Sequence, residues 1–308
     1  MIRSIAAMIF RNSPDVVVRC SARAARYLPR GERWAHFIAD QGDIRGMPSV
    51  VIQEKPQLKL RYDDSRIVKI CHYLGAGAWE PGEADLWRHL CSRSSNILEI
   101  GGNIGYFTVI GGAANTNANY HVVEPHPRNA DSMRANVSLN RLENVKFTEA
   151  AVVGDASVKS IRLSVPAEET GRRSTGGYID GAEGIDRPGT ESFDVKTVLG
   201  SDIAPGIDLL KLDVEGAESA ILSSMTGELA KSRPCIVLEV RRRTPRLRRW
   251  IKTFVTNNNY KIWHLGSPMG VLAVESIETV VLQESYGTRD VLLVPAGREH
   301  VLMGIHMG

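Results

Sequence analysis

The sequence predicts an α/β protein with a Rossmann-like, mainly parallel sheet. Two observations carry that prediction. From residue 95 onward, seven short apolar runs alternate with helix-type patterns, and such alternation calls for crossover connections between parallel strands. The first of these runs passes directly into Gly101-Gly102-Asn103-Ile104-Gly105 at the head of a helix, the layout of a cofactor crevice at the carboxyl end of a sheet. The composition agrees with a globular chain. Of 308 residues, 43% are hydrophobic and 24% charged, and the net charge of +3 is too balanced to imply nucleic-acid binding by charge alone.

Each element has its own signal. The start, up to Asp15, has one early Arg, a very short apolar stretch and no small-residue cleavage pattern, so no signal peptide is expected. Ser13-Pro14-Asp15 reads as an N-cap, a first-turn proline and a first-turn acid, opening a helix over about 14–28. Arg19, Arg23, Arg26 and Arg30 share one face of it, and seven Arg against two acids lie before residue 35. A solvated face is the plain reading, a docking arm for an acidic partner or a membrane surface the alternative. Residues 50–64 alternate apolar and polar, as in a hairpin or two edge strands. Residues 1–64 are therefore assigned to an N-terminal helical and hairpin extension, and 65–308 to the main domain. Within that domain, Glu83–Cys91 is helical.

The strands are 96–100, 120–125, 145–152, 207–213, 235–240, 260–265 and 289–294. Helices follow at Phe107–Ala114 and Arg128–Leu139. Another is expected to be capped by Thr244-Pro245, with Leu247, Trp250, Ile251, Phe254 and Val255 on one face. The polar, Gly-rich stretch 166–192 is too long for an ordinary connection and reads as a lid or a disordered insert. No apolar run approaches the ~18 residues of a membrane span. The four cysteines form no CxxC pair, which disfavours a zinc site and points to a reducing cytoplasm.

The turn after the first strand selects the cofactor. A nicotinamide fingerprint needs GxGxxG, but frames beginning at Gly101 or Gly102 place Asn103 or Ile104 at the second glycine. A Walker string is absent. What stands is Glu99-x-Gly101-x-Asn103-x-Gly105. An acid there repels a pyrophosphate and suits a cationic amine, as in S-adenosyl-L-methionine, which carries an ammonium, a sulfonium and no phosphate. Glycines at 101 and 105 allow close backbone approach. Glu124, 25 residues beyond Glu99, suits bidentate bonding to ribose hydroxyls. Glu149, with Ala150 beside it, ends the third strand and suits the adenine amino group.

The strings NILEIGGNIGYFT, HVVEPHPRN and IDLLKLDVEGAE resemble the FkbM-type S-adenosylmethionine-dependent methyltransferases, and Lys211–Glu218 is the most specific of the matching stretches. The segment Gly77–Glu83, containing Glu80, resembles that family's entry segment. The likeness spans roughly residues 65–295. It implies a seven-stranded class I methyltransferase sheet with one antiparallel strand. It also implies methyl transfer to a hydroxyl of a sugar, glycan or natural-product intermediate. Glu99 departs from the family's more common Asp, and Gly200-Ser201-Asp202 from its usual Leu-Asp step.

An alcohol acceptor must lose its proton as the new bond forms. Asp213, ending the fourth strand, is the first candidate to orient the acceptor or take that proton and also borders the cofactor; Glu215 is the second. Glu239 and His264 end the fifth and sixth strands on the same expected rim. Asp213 with Glu239 resembles a magnesium pair, but no further ligand stands at a telling position and no metal is expected. The Arg-rich run 241–249 reads plainly as a solvated face, with an anionic acceptor or a nucleic-acid methyltransferase as the alternatives. A base-amine enzyme would carry Asn/Asp-Pro-Pro-aromatic where this chain has Leu212-Asp213-Val214-Glu215. The expected partner is thus a small-molecule or glycan acceptor rather than nucleic acid. A homodimer and a non-catalytic cofactor-binding role are both compatible with the sequence.

Overall fold

A computed structural model describes residues 2–28, 31–44, 48–166, 177–179, 189–266, 270–280 and 288–305. The chain divides into two compact units, Met1–Pro81 and Gly82–Gly308. The division falls beyond the boundary at 64/65 read from the sequence, because the helix following the hairpin packs on the elements before it.

The first unit contains α1 (Ile2–Arg11), α2 (Asp15–Ala25), α3 (Gly31–Gln41), the antiparallel pair β1 (Ser49–Gln53) and β2 (Leu58–Arg61), and α4 (Arg66–Leu74). Helix α2 buries Val18, Ala22 and Ala25, spaced to form one stripe. Helix α4 is capped by Ser65, whose hydroxyl accepts from the Val68 amide at 3.3 Å. The arginines of α2 are partly drawn into the unit. Arg19 lies 2.7 Å from His72 Nε2 and 3.2 Å from Asp15, Arg23 donates to the Tyr73 carbonyl at 3.1 Å, and Arg26 pairs with Glu32. Arg30 lies outside the described residues. Glu80, near the end of this unit, has a φ of +42°.

The second unit opens with α5 (Pro81–Cys91) and continues through β3 (Asn96–Ile100), α6 (Tyr106–Ala114), β4 (Asn119–Val123), α7 (Pro127–Leu139), β5 (Val145–Thr148), β6 (Ala151–Val153), β7 (Ser160–Pro166), β8 (Tyr178–Ile179), β9 (Gly189–Leu199) and α8 (Gly200–Ile203). It ends with β10 (Leu209–Leu212), α9 (Glu218–Ser232), β11 (Cys235–Arg241), α10 (Pro245–Asn258), β12 (Tyr260–Gly266), β13 (Gly270–Val274) and β14 (Thr288–Pro295). Strand order in the main sheet is β13-β12-β14-β11-β10-β3-β4-β5. Strands β3, β4, β5, β10 and β11 run parallel, and β14 is inserted antiparallel between β11 and β12. All seven anticipated strands form in this class I methyltransferase order. An eighth, β13, adds an antiparallel edge to β12.

The third strand is shorter than its sequence run. Pairing with β4 stops at Thr148, and after Glu149 and Ala150 the chain restarts as β6, which pairs with β9 in a second sheet ordered β6-β9-β7-β8. Of the stretch 166–192 read as a lid or insert, residues 167–176 and 180–188 lie outside the described residues. Helices α9 and α10 cover one face of the main sheet through Ile221, Leu222, Met225, Leu247, Ile251 and Phe254. Thr244 precedes α10 as expected, but its hydroxyl donates to the Arg241 carbonyl at 2.7 Å instead of capping the helix.

Candidate active site

The turn between β3 and α6 is held open by backbone that favours glycine. Gly101 and Gly105 have φ of +94° and +87°. A Cβ on Gly101 would stand 1.8 Å from the Asp213 carbonyl oxygen, so the turn and the end of β10 meet backbone to backbone. Asn103, at φ +50°, aims its amide at Glu124 Oε2 (2.8 Å), while its own side chain accepts from the Ile104 amide at 2.7 Å. The other Glu124 oxygen accepts from the His126 amide at 2.8 Å. Burial outweighs these bonds and pushes the Glu124 carboxyl up to about 7. Each of its oxygens keeps a second lone pair, so the carboxylate can accept from the two hydroxyls of a ribose diol.

Glu99 differs from its expected role. Its carboxyl is 1% exposed and faces inward, where Oε2 accepts from Thr108 Oγ1 at 2.6 Å and the Tyr120 hydroxyl at 2.7 Å. Trp87 Nε1 extends the network to the Tyr120 oxygen and the Phe107 carbonyl, both at 3.2 Å. Burial pushes Glu99 up to about 7. This acid braces the turn and α6 from within the fold, rather than presenting itself to an amine. Glu149 is also engaged: its carboxylate pairs with Arg134 at 2.6 Å. Its neighbour Ala150 is buried.

Strand alternation sets Glu99, Lys211, Asp213, Glu239 and Asp290 on one face of the sheet, because Lys211 pairs with Glu99 and Glu239 with Asp290. Lys211 is buried, with Nζ 2.9 Å from Glu83 Oε1, 3.5 Å from Asp213 Oδ2 and 4.3 Å above the Phe107 ring. Burial raises the Glu83 carboxyl above the ordinary range, and the Lys211 charge opposes that rise. Asp213 keeps 38% of its side chain exposed.

Glu215, at φ +53°, pairs with Arg241 at 2.8 Å. Glu218 is buried and accepts from the Gly216 and Val214 amides at 3.1 and 3.3 Å, so it ties the turn that carries Glu215. Glu239 is pushed well above the carboxylate range, by burial first and then by Asp213, Glu215 and Asp290, against the opposing charge of Arg241.

His264 is not brought to this cluster. It pairs with Val291, which pairs with Leu238, so the pleat turns it to the face opposite Glu239. Its strand also lies three places from β10, roughly 14 Å at the usual spacing. Among the described residues no group of three or more His, Cys, Asp and Glu side chains is arranged to hold a metal ion.

Residues 99–262 match the family model of the methyltransferase FkbM domain. The chain belongs to the FkbM family of S-adenosylmethionine-dependent methyltransferases. A search of curated proteins finds no match. The FkbM chain resembles several solved structures loosely. The methyltransferase FkbM from Methylobacillus flagellatus KT is 14% identical with a TM-score of 0.41, covering 65% of this chain and 43% of that one. The O-methyltransferase from Bacillus cereus in complex with SAH is 15% identical with a TM-score of 0.41, over 72% and 84% of the two chains. TYW2 from M. jannaschii in complex with AdoMet is 14% identical with a TM-score of 0.40, over 80% and 84%. Likenesses this loose add nothing to the family assignment.

Sequence reasoning gave no role to Lys211, Glu83, Thr108, Tyr120 or Trp87. Lys211 was visible as a charge inside an apolar strand run, Leu209-Leu210-Lys211-Leu212, a position that demands a buried partner. Of the basic run after β11, Arg241 is taken up by Glu215 and Arg248 by the Ile277 carbonyl at 3.0 Å.

Proposed function

We propose that this FkbM methyltransferase transfers a methyl group to a hydroxyl of a sugar, glycan or natural-product intermediate, with Asp213 and Glu239 as its acceptor-side carboxyls. The observation that carries the reading is Glu239. Its carboxyl is held on the same face as Asp213, with its proton affinity raised by burial and by the neighbouring acids Asp213, Glu215 and Asp290. A carboxyl of raised proton affinity in such a position suits the uptake of an acceptor's proton. Bound S-adenosylmethionine supplies an electrophilic methyl on a sulfonium.

Glu124 takes the ribose hydroxyls, and the Gly101–Gly105 backbone admits the cofactor closely. Asp213 would orient the acceptor oxygen, and with Glu239 it would take up the hydroxyl proton, while the bound cofactor would supply the methyl group and leave as S-adenosylhomocysteine. The acids ending β10 and β11, with Asp290 beside them, favour a neutral or cationic acceptor over an anionic one. The test is an acceptor screen with product mass and methyl position as readout, followed by Asp213→Asn. Turnover should fall by about two orders of magnitude or more, while S-adenosylhomocysteine affinity by calorimetry stays near normal. Near-normal single-turnover chemistry in the variant removes Asp213 from this role, and methylation at carbon or nitrogen overturns the hydroxyl reading.

A further inference from the structure

The first unit presents an apolar surface that its own core does not use. On α2 and the turn after it, Val16, Val17, Cys20, Ala24, Tyr27 and Leu28 all face outward. At about 100° per residue they fill an arc of roughly 120°. Tyr27 is 92% exposed, Val16 62% and Leu28 58%. The buried stripe of the same helix, Val18, Ala22 and Ala25, lies on another side. Arg19, Arg23 and Arg26 occupy the arc between the two and border the exposed stripe along its length. Met8 and Ile9 of α1 are exposed as well, ahead of Arg11.

We propose that this face docks on an anionic lipid surface, with the apolar stripe in the acyl boundary and the arginines at the headgroups. Charge chooses the occupant. Along this border Arg19, Arg23 and Arg26 outnumber the two acids paired with them, Asp15 and Glu32, by one, and among the described residues Arg23 is bonded only to a carbonyl, so the border carries a net positive charge that gains from phosphate headgroups. In an antiparallel two-fold pairing with a second copy, the arginine border would face its own copy and meet like charges. Residues Arg19 and Arg26 already have acidic partners, but those partners, Asp15 and Glu32, do not outnumber the cations. Among the described residues no helix is long and apolar enough to cross a membrane, so the proposed contact is peripheral.

The test uses the full chain and vesicles of phosphatidylcholine alone or mixed with phosphatidylglycerol. Cys20 is the exposed one of the four cysteines, the others being buried, so a polarity-sensitive dye placed there reports contact directly. The expected result is sedimentation with the anionic vesicles only, with a blue shift at Cys20 and release by salt. The double variant Val16→Ser/Leu28→Ser should bind about tenfold or more weakly, with unchanged melting temperature showing that the unit still folds. Three results overturn the proposal. These are no binding to anionic vesicles, equal binding by the folded variant, or self-association in the absence of lipid that the same substitutions abolish.

Discussion

Replacing Lys211 by Met keeps the stem that packs over Phe107 and deletes the charge. Lys211 and Glu83 are 3% and 7% exposed and 2.9 Å apart, so neither has water to fall back on. Removing one member of such a pair strands the other and costs about 3–5 kcal/mol, whereas replacing both by apolar groups is often neutral or stabilising. Lys211→Met should therefore lower the stability of the second unit by about 3–5 kcal/mol. Lys211→Met/Glu83→Leu should recover most of that loss.

The single variant also acquires a pH signature. Glu83 already sits above the usual carboxylate range because of burial, and Lys211 is the largest influence holding it down. Without the cation its proton affinity rises further, so the folded state binds protons that the unfolded chain releases. Stability of the variant then falls as pH rises above the ordinary carboxylate range. Chemical denaturation at several pH values, with the two units fitted as separate transitions, reads both effects. A single-variant cost below about 1 kcal/mol, or a double variant that merely adds the two single losses, would refute the argument that the pair is a mutually dependent buried couple.

In its proposed ribose-binding role, Glu124 should make cofactor affinity pH-dependent in a defined direction. Its carboxyl is raised to about 7, and only the ionised form accepts from both ribose hydroxyls, so S-adenosylhomocysteine should bind more tightly as pH rises through about 7. Calorimetry on Glu124→Ala should show that this dependence is gone, together with a loss of about 1–3 kcal/mol. The same raised value opposes stability in the apo protein, where the protonated folded state is favoured below the unfolded carboxylate range and that advantage is lost as pH rises through about 7. Gly101→Ala places a Cβ against the Asp213 carbonyl in left-handed backbone and should destabilise the unit by at least about 2 kcal/mol, seen in thermal melting; an unchanged melting temperature would show that the turn can move aside.

The parallel core of the fold was legible because its strands are short apolar runs separated by helices, and nothing else in the sequence has that rhythm. What escaped were features set by pairing rather than by pattern. Strand β13 follows Gly266-Ser267-Pro268, a turn signal, but Val271–Val274 has too little alternation to announce an edge strand. The run 145–152 is continuous in hydrophobicity, yet its two halves join different sheets, a split that depends on where β9 lies. Thr244 was placed correctly at a helix start but misjudged as a cap, since its hydroxyl has a closer carbonyl acceptor at Arg241. At the site, strand ends located Asp213 and Glu239 on one face. His264 was misjudged because residue order along the chain does not reveal which face of the pleat a side chain takes.

The face that carries the candidate site is crowded with acids, and two cations among the described residues explain why their roles differ. Arg241 pairs with Glu215, and Lys211 lies 2.9 Å from Glu83 but 3.5 Å from Asp213. Glu218 is engaged by backbone amides, Glu99 by Thr108 and Tyr120. Those four carboxyls hold a turn, a helix or a partner in place, and a proton delivered to any of them would loosen what it holds. Asp213 is both partly exposed and only distantly held by a cation, and Glu239 is left facing other acids. The proposed proton transfer would therefore disturb least structure at Asp213 and Glu239, which is the physical reason for proposing the acceptor there rather than beside the better-anchored Glu215.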